Sequence, residues 1–156
     1  MHKRKQTTPD RDALSTNMKE QPTCEERIGS ELQSTLDTLR DLWKSYCEGE
    51  EYCEEHNTNM SEYHLGFDYV APDTFKDQDE GYFRYQLSWG GPSDEFRFFV
   101  TPGRHGYEPY RIEYWFLDWW DGASRRLHGE DRNLLNEIFT WFDDMGCVES
   151  AIEEIT

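Results

Sequence analysis

The chain has 156 residues, sized for one domain that buries a core without a disulfide or metal staple. Apolar residues make up only 35%, yet 15% are aromatic, and an acidic disordered chain is poor in aromatics, so a folded core is expected. Thirty-three Asp and Glu against sixteen Lys and Arg give a net charge of −17, a field that repels nucleic acid and anionic membrane and attracts basic protein surfaces.

Residues 1–22 carry five basic and three acidic groups with Pro9, Pro22 and scattered Ser, Thr and Asn, and are expected to form a disordered arm ahead of a single domain over 23–156. From Thr23 the pattern turns helical. Ile28, Leu32, Leu36, Leu39, Trp43 and Tyr46 fall on one face, and Thr23 with Glu26 fits a capping box. Glu26, Asp37, Asp41 and Glu48 fall on the opposite side, and the helix should stop near Gly49. Glu48, Glu50, Glu51, Glu54 and Glu55 then make the densest acidic run.

Residues 64–70 predict a first strand with Leu65, Phe67 and Tyr69 on one side. A polar loop over 72–80 holds Asp73, Asp77, Asp79 and Glu80. Residues 82–89 alternate Phe83, Tyr85, Leu87 and Trp89 against Tyr82, Arg84, Gln86 and Ser88, and Gly90 to Ser93 turns the chain. Residues 95–101 set Phe96, Phe98 and Val100 against Glu95, Arg97 and Phe99. A loop over 103–109 leads to a strand over 110–117 with Tyr110, Ile112, Tyr114 and Phe116 on one side. Asp121-Gly122 signals a further hairpin, with a short strand over 123–127. Gly129 and Asp131 open a helix with Leu134, Leu135, Ile138, Phe139, Trp141 and Phe142 on its apolar face, stopped by Gly146, and a short helix closes the chain over 148–155. Short connections imply antiparallel neighbours. The predicted class is therefore α+β: an amphipathic helix, an antiparallel meander of four to five strands, and two C-terminal helices packed on one sheet face. Trp43, Phe83, Tyr85, Leu87, Phe96, Phe98, Ile112, Tyr114, Leu135, Ile138 and Phe142 form the expected core.

No pattern of catalysis stands out. Cys47, Cys53, His56 and His64 are zinc-ligand types, but their spacing matches no common zinc module, and no metal or other cofactor is expected. Asp118 and Asp121 flank Trp119-Trp120, where Asp118 reads as a turn residue or a partner for Arg125 or Arg126. No Ser or Cys has a recognisable base beside it, and Gly90-Gly91-Pro92 lacks the lysine and glycine spacing of a phosphate loop. An enzyme is not expected. Arg84, Arg97 and Arg111 interleave with strand aromatics, an arrangement that can stack bases, but the net charge opposes direct nucleic-acid binding, and pairing with Glu95 and Glu113 is expected instead. No export signal or long apolar run is recognised, so a cytoplasmic protein with its four cysteines as thiols and no membrane contact is expected.

The run Gly81-Tyr82-Phe83-Arg84-Tyr85-Gln86-Leu87-Ser88-Trp89-Gly90-Gly91-Pro92-Ser93-Asp94-Glu95-Phe96-Arg97-Phe98, with the later Arg111-Ile112-Glu113-Tyr114-Trp115-Phe116-Leu117-Asp118-Trp119-Trp120-Asp121-Gly122-Ala123, resembles small acidic accessory proteins of bacterial plasmids, integrative elements and phages. The resemblance runs from about residue 28 to the end and implies a mobile-element setting, with no catalytic residues to carry over. By analogy of charge and context, small proteins of this kind resemble DNA-mimicking anti-restriction or anti-CRISPR factors. Carboxylates three or four residues apart on a helix stand about 5–6 Å apart, close to the spacing of backbone phosphates. The expected partner is a basic DNA-binding protein or nuclease, with Glu48, Glu50, Glu51, Glu54, Glu55, Asp73, Asp77, Asp79 and Glu80 standing in for phosphates. The alternative is an adaptor whose aromatic surface around Trp115, Trp119 and Trp120 docks a partner protein.

Overall fold

Thr23 starts the first helix as its sequence pattern requires: its side chain accepts the Glu26 N–H at 3.2 Å, and α1 runs from Cys24 to Cys47. The computed structural model of the protein describes residues 21–104 and 106–155. Residues 1–20 of the expected arm lie outside the described residues. At the other end of α1, Gly49 takes φ +83°, a left-handed conformation that glycine adopts freely, and its N–H donates to the Tyr46 carbonyl.

Five strands follow as a meander in the order β1-β2-β3-β4-β5, every neighbour antiparallel. They are β1 (Gly66–Val70), β2 (Tyr82–Ser88), β3 (Pro92–Gly103), β4 (Gly106–Asp118) and β5 (Asp121–Arg126). A one-turn helix α2 (Met60–Tyr63), absent from the sequence expectation, precedes the sheet and is capped by the Asn59 side chain. Helices α3 (Gly129–Asp144) and α4 (Cys147–Glu153) end the fold. The protein is α+β with a five-stranded antiparallel sheet.

The period-2 pattern decides the inner sheet face. Phe83, Tyr85, Phe96, Phe98, Ile112 and Tyr114 are fully buried in one cluster with Leu36, Leu39, Leu135, Ile138 and Phe142. Phe139 packs against Phe83 at 5.7 Å and Phe98 at 5.0 Å between ring centroids, and Phe142 stacks on Phe67 at 4.2 Å. A carboxylate also enters this layer. Asp94 is buried, accepts the Tyr114 and Ser88 hydroxyls at 2.6 and 2.5 Å, and lies 3.4 Å from the Thr35 hydroxyl of α1. A buried carboxylate needs such donors to offset its lost hydration.

Several expectations are corrected. The strands β3 and β4 pair as far as Gly103 opposite Gly106, so the loop expected over 103–109 is mostly hairpin. A register shift beside Phe99 and Val100 leaves Tyr110 without a cross-strand partner, and Tyr110 is exposed where the alternation placed it inside. Leu65 is exposed at the start of the sheet, although its N–H still donates to the Gln86 carbonyl at 2.8 Å. On α1 Leu42 takes the fully buried position and Trp43 is half-buried against the core, packing edge-on to Trp141. Pro92 and Ser93 pair with Asp118 and Leu117, so they belong to β3 and not to the turn. The last hairpin turns on Trp119-Trp120, two residues before the glycine signal, since Gly122 pairs with Leu117. A Cβ on Gly122 would stand 2.8 Å from Leu117 Cδ2, so a larger residue there would displace that side-chain tip.

Candidate partner-binding surface

The outer sheet face spends most of its charge internally. Arg97 lies over Tyr82 at 4.5 Å and over Trp115 at 3.8 Å, and its Nε donates to Glu95, whose side chain is only 3% exposed, at 2.7 Å. Arg111 lies over Phe99 at 3.9 Å and pairs with Glu80 at 2.5 Å and Glu113 at 3.1 Å. Arg84 forms a two-pronged pair with Asp68 across the β1–β2 ladder, at 2.9 and 2.7 Å. Tyr82, assigned to the solvent side by alternation, is buried here with Val70 and Phe99 because this face carries its own small apolar cluster. The cross-strand pairing expected for the arginines is thus largely replaced by pairs within one strand, Arg97 with Glu95 and Arg111 with Glu113.

The cations of the helical layer are engaged in the same way. Arg27 pairs with Asp118 at 3.0 Å, in place of the Arg125 or Arg126 partner expected for that acid, and Arg125 pairs with Glu25 at 2.8 Å. Arg40 pairs with Asp131. From Thr23 onward the sequence has thirty acidic residues against eleven basic ones, so this pairing leaves a large carboxylate excess at the surface.

The nine proposed phosphate mimics fall into two groups. Glu48, Glu50, Glu51, Glu54 and Glu55 are all exposed beyond the C-terminal end of α1. Four of them, with Asp41 and Lys44, border one shallow cleft of about 270 Å³. The cations there are few: Lys44 reaches Glu48 at 4.0 Å, and Glu50 accepts a hydroxyl hydrogen bond from Ser45 at 3.2 Å. Asp73, Asp77, Asp79 and Glu80 sit instead in the β1–β2 loop, and the last three border a different cleft, of about 480 Å³, on the outer sheet face. Glu80 is already committed. The Tyr110 hydroxyl and then Arg111 hold its carboxyl below the usual range. The structure therefore does not gather the nine into one ridge.

No protein-family model, curated protein or solved structure matches the chain.

The three tryptophans named for docking also divide. Trp115 is half-buried under Arg97, with its indole N–H donated to Glu113 at 2.9 Å. Trp119 and Trp120 are 83% and 99% exposed. Trp89, which sequence alternation placed on the core side, is 75% exposed in the neighbouring β2–β3 turn, because the strand ends at Ser88. Since Pro92 pairs with Asp118, the two turns share one end of the sheet. Trp119 holds φ +55°, a left-handed conformation that costs a bulky residue about 1–3 kcal/mol.

The zinc-type residues do not converge as a set. His64 packs edge-on to Phe142 at 5.2 Å and Tyr85 at 5.5 Å, and burial lowers its pKa below the ordinary 6.5. Cys53 is buried and Cys47 exposed, and all four cysteines are free. His56 turns to Asp41, 2.8 Å away. Among the described residues no helix is long and apolar enough to cross a membrane.

Proposed function

We propose that the protein is an acidic binding protein that occupies the basic face of a DNA-binding partner, in the manner of a DNA mimic, and so inhibits a host defence nuclease of anti-restriction or anti-CRISPR type. The mobile-element setting implied by the resemblance fits this role. One observation carries the reading: seven of the eleven cations after Thr23 stand in ion pairs with the domain's own carboxylates, while the run from Glu48 to Glu55 stays exposed beside a single lysine. Carboxylates at this density repel one another, and beyond the Lys44–Glu48 contact and the Ser45 hydrogen bond to Glu50 they do little to hold the fold, so their use lies in what they attract. The four acids of the β1–β2 loop are secondary, with Glu80 serving the fold.

A second reading, an adaptor docking through aromatic side chains, is favoured by Trp119 and Trp120. Two indoles in water on a strained turn bury nothing within the domain, and tryptophan is enriched at the centres of interfaces. Trp115 is better assigned to the outer sheet face.

Immobilised full-length protein offered to a bacterial lysate separates these. The mimic reading expects a basic DNA-binding protein that is released by added duplex DNA and by raising salt, since exposed charges are screened over about 10 Å at 0.1 M ionic strength. Retention of the captured protein in both treatments would end it.

A further inference from the structure

One cluster joins groups that the sequence keeps apart. Asp41 stands on α1, and Glu55 and His56 stand in the loop that follows it. An isolated antiparallel bridge between Cys53 and Thr58 closes that loop, and the Tyr52 hydroxyl ties it further by donating to the Asn57 backbone carbonyl at 2.6 Å. The loop thereby delivers His56 Nε2 to 2.8 Å from Asp41 Oδ2. A Glu55 oxygen completes a trio in which all three donor atoms lie within 4.8 Å of one another.

An ion pair accounts for Asp41 and His56 but not for a second carboxylate at the same point. Two carboxylates facing one imidazole remain net negative even when the ring is protonated, and they converge from two separate segments. We propose that Asp41, Glu55 and His56 form a binding site for a divalent transition-metal ion of the zinc type. The donor set selects the class: an imidazole with two carboxylates suits zinc and its neighbours, whereas magnesium and calcium take oxygen alone. Zinc bonds of about 2.0–2.2 Å place tetrahedral donors about 3.4 Å apart. The Asp41–His56 pair stands inside that value at 2.8 Å and no donor pair exceeds 4.8 Å, so side-chain rotation brings the trio to it. The ion takes the place of the hydrogen bond between Asp41 and His56, and water completes its shell. Glu48, Glu50 and Glu54, which border the same cleft as Asp41 and Glu55, raise the local cation concentration. This site stands whether or not the partner reading holds.

The test is calorimetric titration of zinc into chelator-treated, full-length protein carrying Cys47→Ser, which removes an exposed competing thiol. The expected result is one ion per chain, bound on the order of a hundredfold more tightly than magnesium under the same conditions. Loss of a mere outer-shell partner weakens a site about 10–100-fold, so His56→Ala and Asp41→Asn should each weaken zinc by at least about tenfold. Glu130→Gln with Glu137→Gln, exposed acids of α3 outside the cluster, should leave binding unchanged. In the parent protein the His56 ring resonances should shift with one equivalent of zinc, a readout independent of any variant. Zinc uptake that survives His56→Ala undiminished, or that magnesium matches, would show diffuse counter-ion binding and overturn the proposal, as would no uptake at all.

Discussion

The two faces of the sheet use aromatic residues for opposite purposes. On the inner face Phe83, Phe96, Phe98 and Tyr114 bury against one another and against the helices, and the buried carboxylate of Asp94 is supplied with donors. On the outer face Tyr82, Phe99 and Trp115 serve as platforms for Arg97 and Arg111, and those arginines bind Glu95, Glu113 and Glu80. The outer face therefore consumes cations. In a domain with so few, the acids beyond α1 are left with Lys44 as the ion-pair partner of Glu48. The acidity of the surface is thus a consequence of where the arginines are held, as much as of how many carboxylates there are.

Truncation should separate the faces most sharply. Phe98→Ala opens a cavity in the packed inner layer and should cost about 3–5 kcal/mol, whereas Phe99→Ala, at the edge of an open cleft that can relax or fill with water, should cost about 2–3 kcal/mol. Urea unfolding of both variants measures this, and equal losses would mean that the outer face is a second core. Glu95→Ala tests the outer lattice. It strands Arg97 over Trp115 without a counter-charge, and breaking a pair this buried should cost about 3 kcal/mol. If the midpoint stays put, Arg97 is held by its rings alone.

The period-2 strands and the α1 stripe were legible because the hydrophobic pattern alone determines which side of an element faces the core. The inner-face residues named from alternation, Phe83, Phe96, Phe98 and Ile112, are fully buried. What escaped were features that depend on non-local geometry. The register shift that turns Tyr110 outward has no sequence signature, and the Trp119-Trp120 turn defies the usual preference for small residues at positive φ. Nothing in the sequence singled out Asp94, because only the folded chain brings Thr35, Ser88 and Tyr114 to it. The meeting of Asp41 with His56 was hidden for the same reason. Among the acids, the sequence marked where they are dense but not which ones arginine had already claimed, and Glu80 is the instance.

Acidification gives a finer contrast. Burial depresses the His64 pKa, so the folded state disfavours the protonated ring. Between the ordinary 6.5 and that lowered value the unfolded chain binds more protons than the folded one, so stability should fall as pH drops through this window and level off below it. His64→Phe keeps a ring against Phe142 and removes the titration. Its unfolding midpoint should lack the step, since most carboxylates titrate lower, near 4. A step that persists in the variant would assign it elsewhere.

The most direct test of the account measures association of a DNA-displaceable partner with two variants of equal stability. Neutralising Glu50, Glu51, Glu54 and Glu55 to Gln removes charge from exposed positions, and Trp119→Ala with Trp120→Ala removes the exposed indoles. Electrostatic steering raises association rates by about 10–1000-fold and vanishes with salt. The Gln variant should associate at least about tenfold more slowly at low salt, with a flattened salt dependence, while the tryptophan variant should keep the parent's rate. An unchanged rate and salt dependence in the Gln variant, with binding abolished in the tryptophan variant, would contradict it.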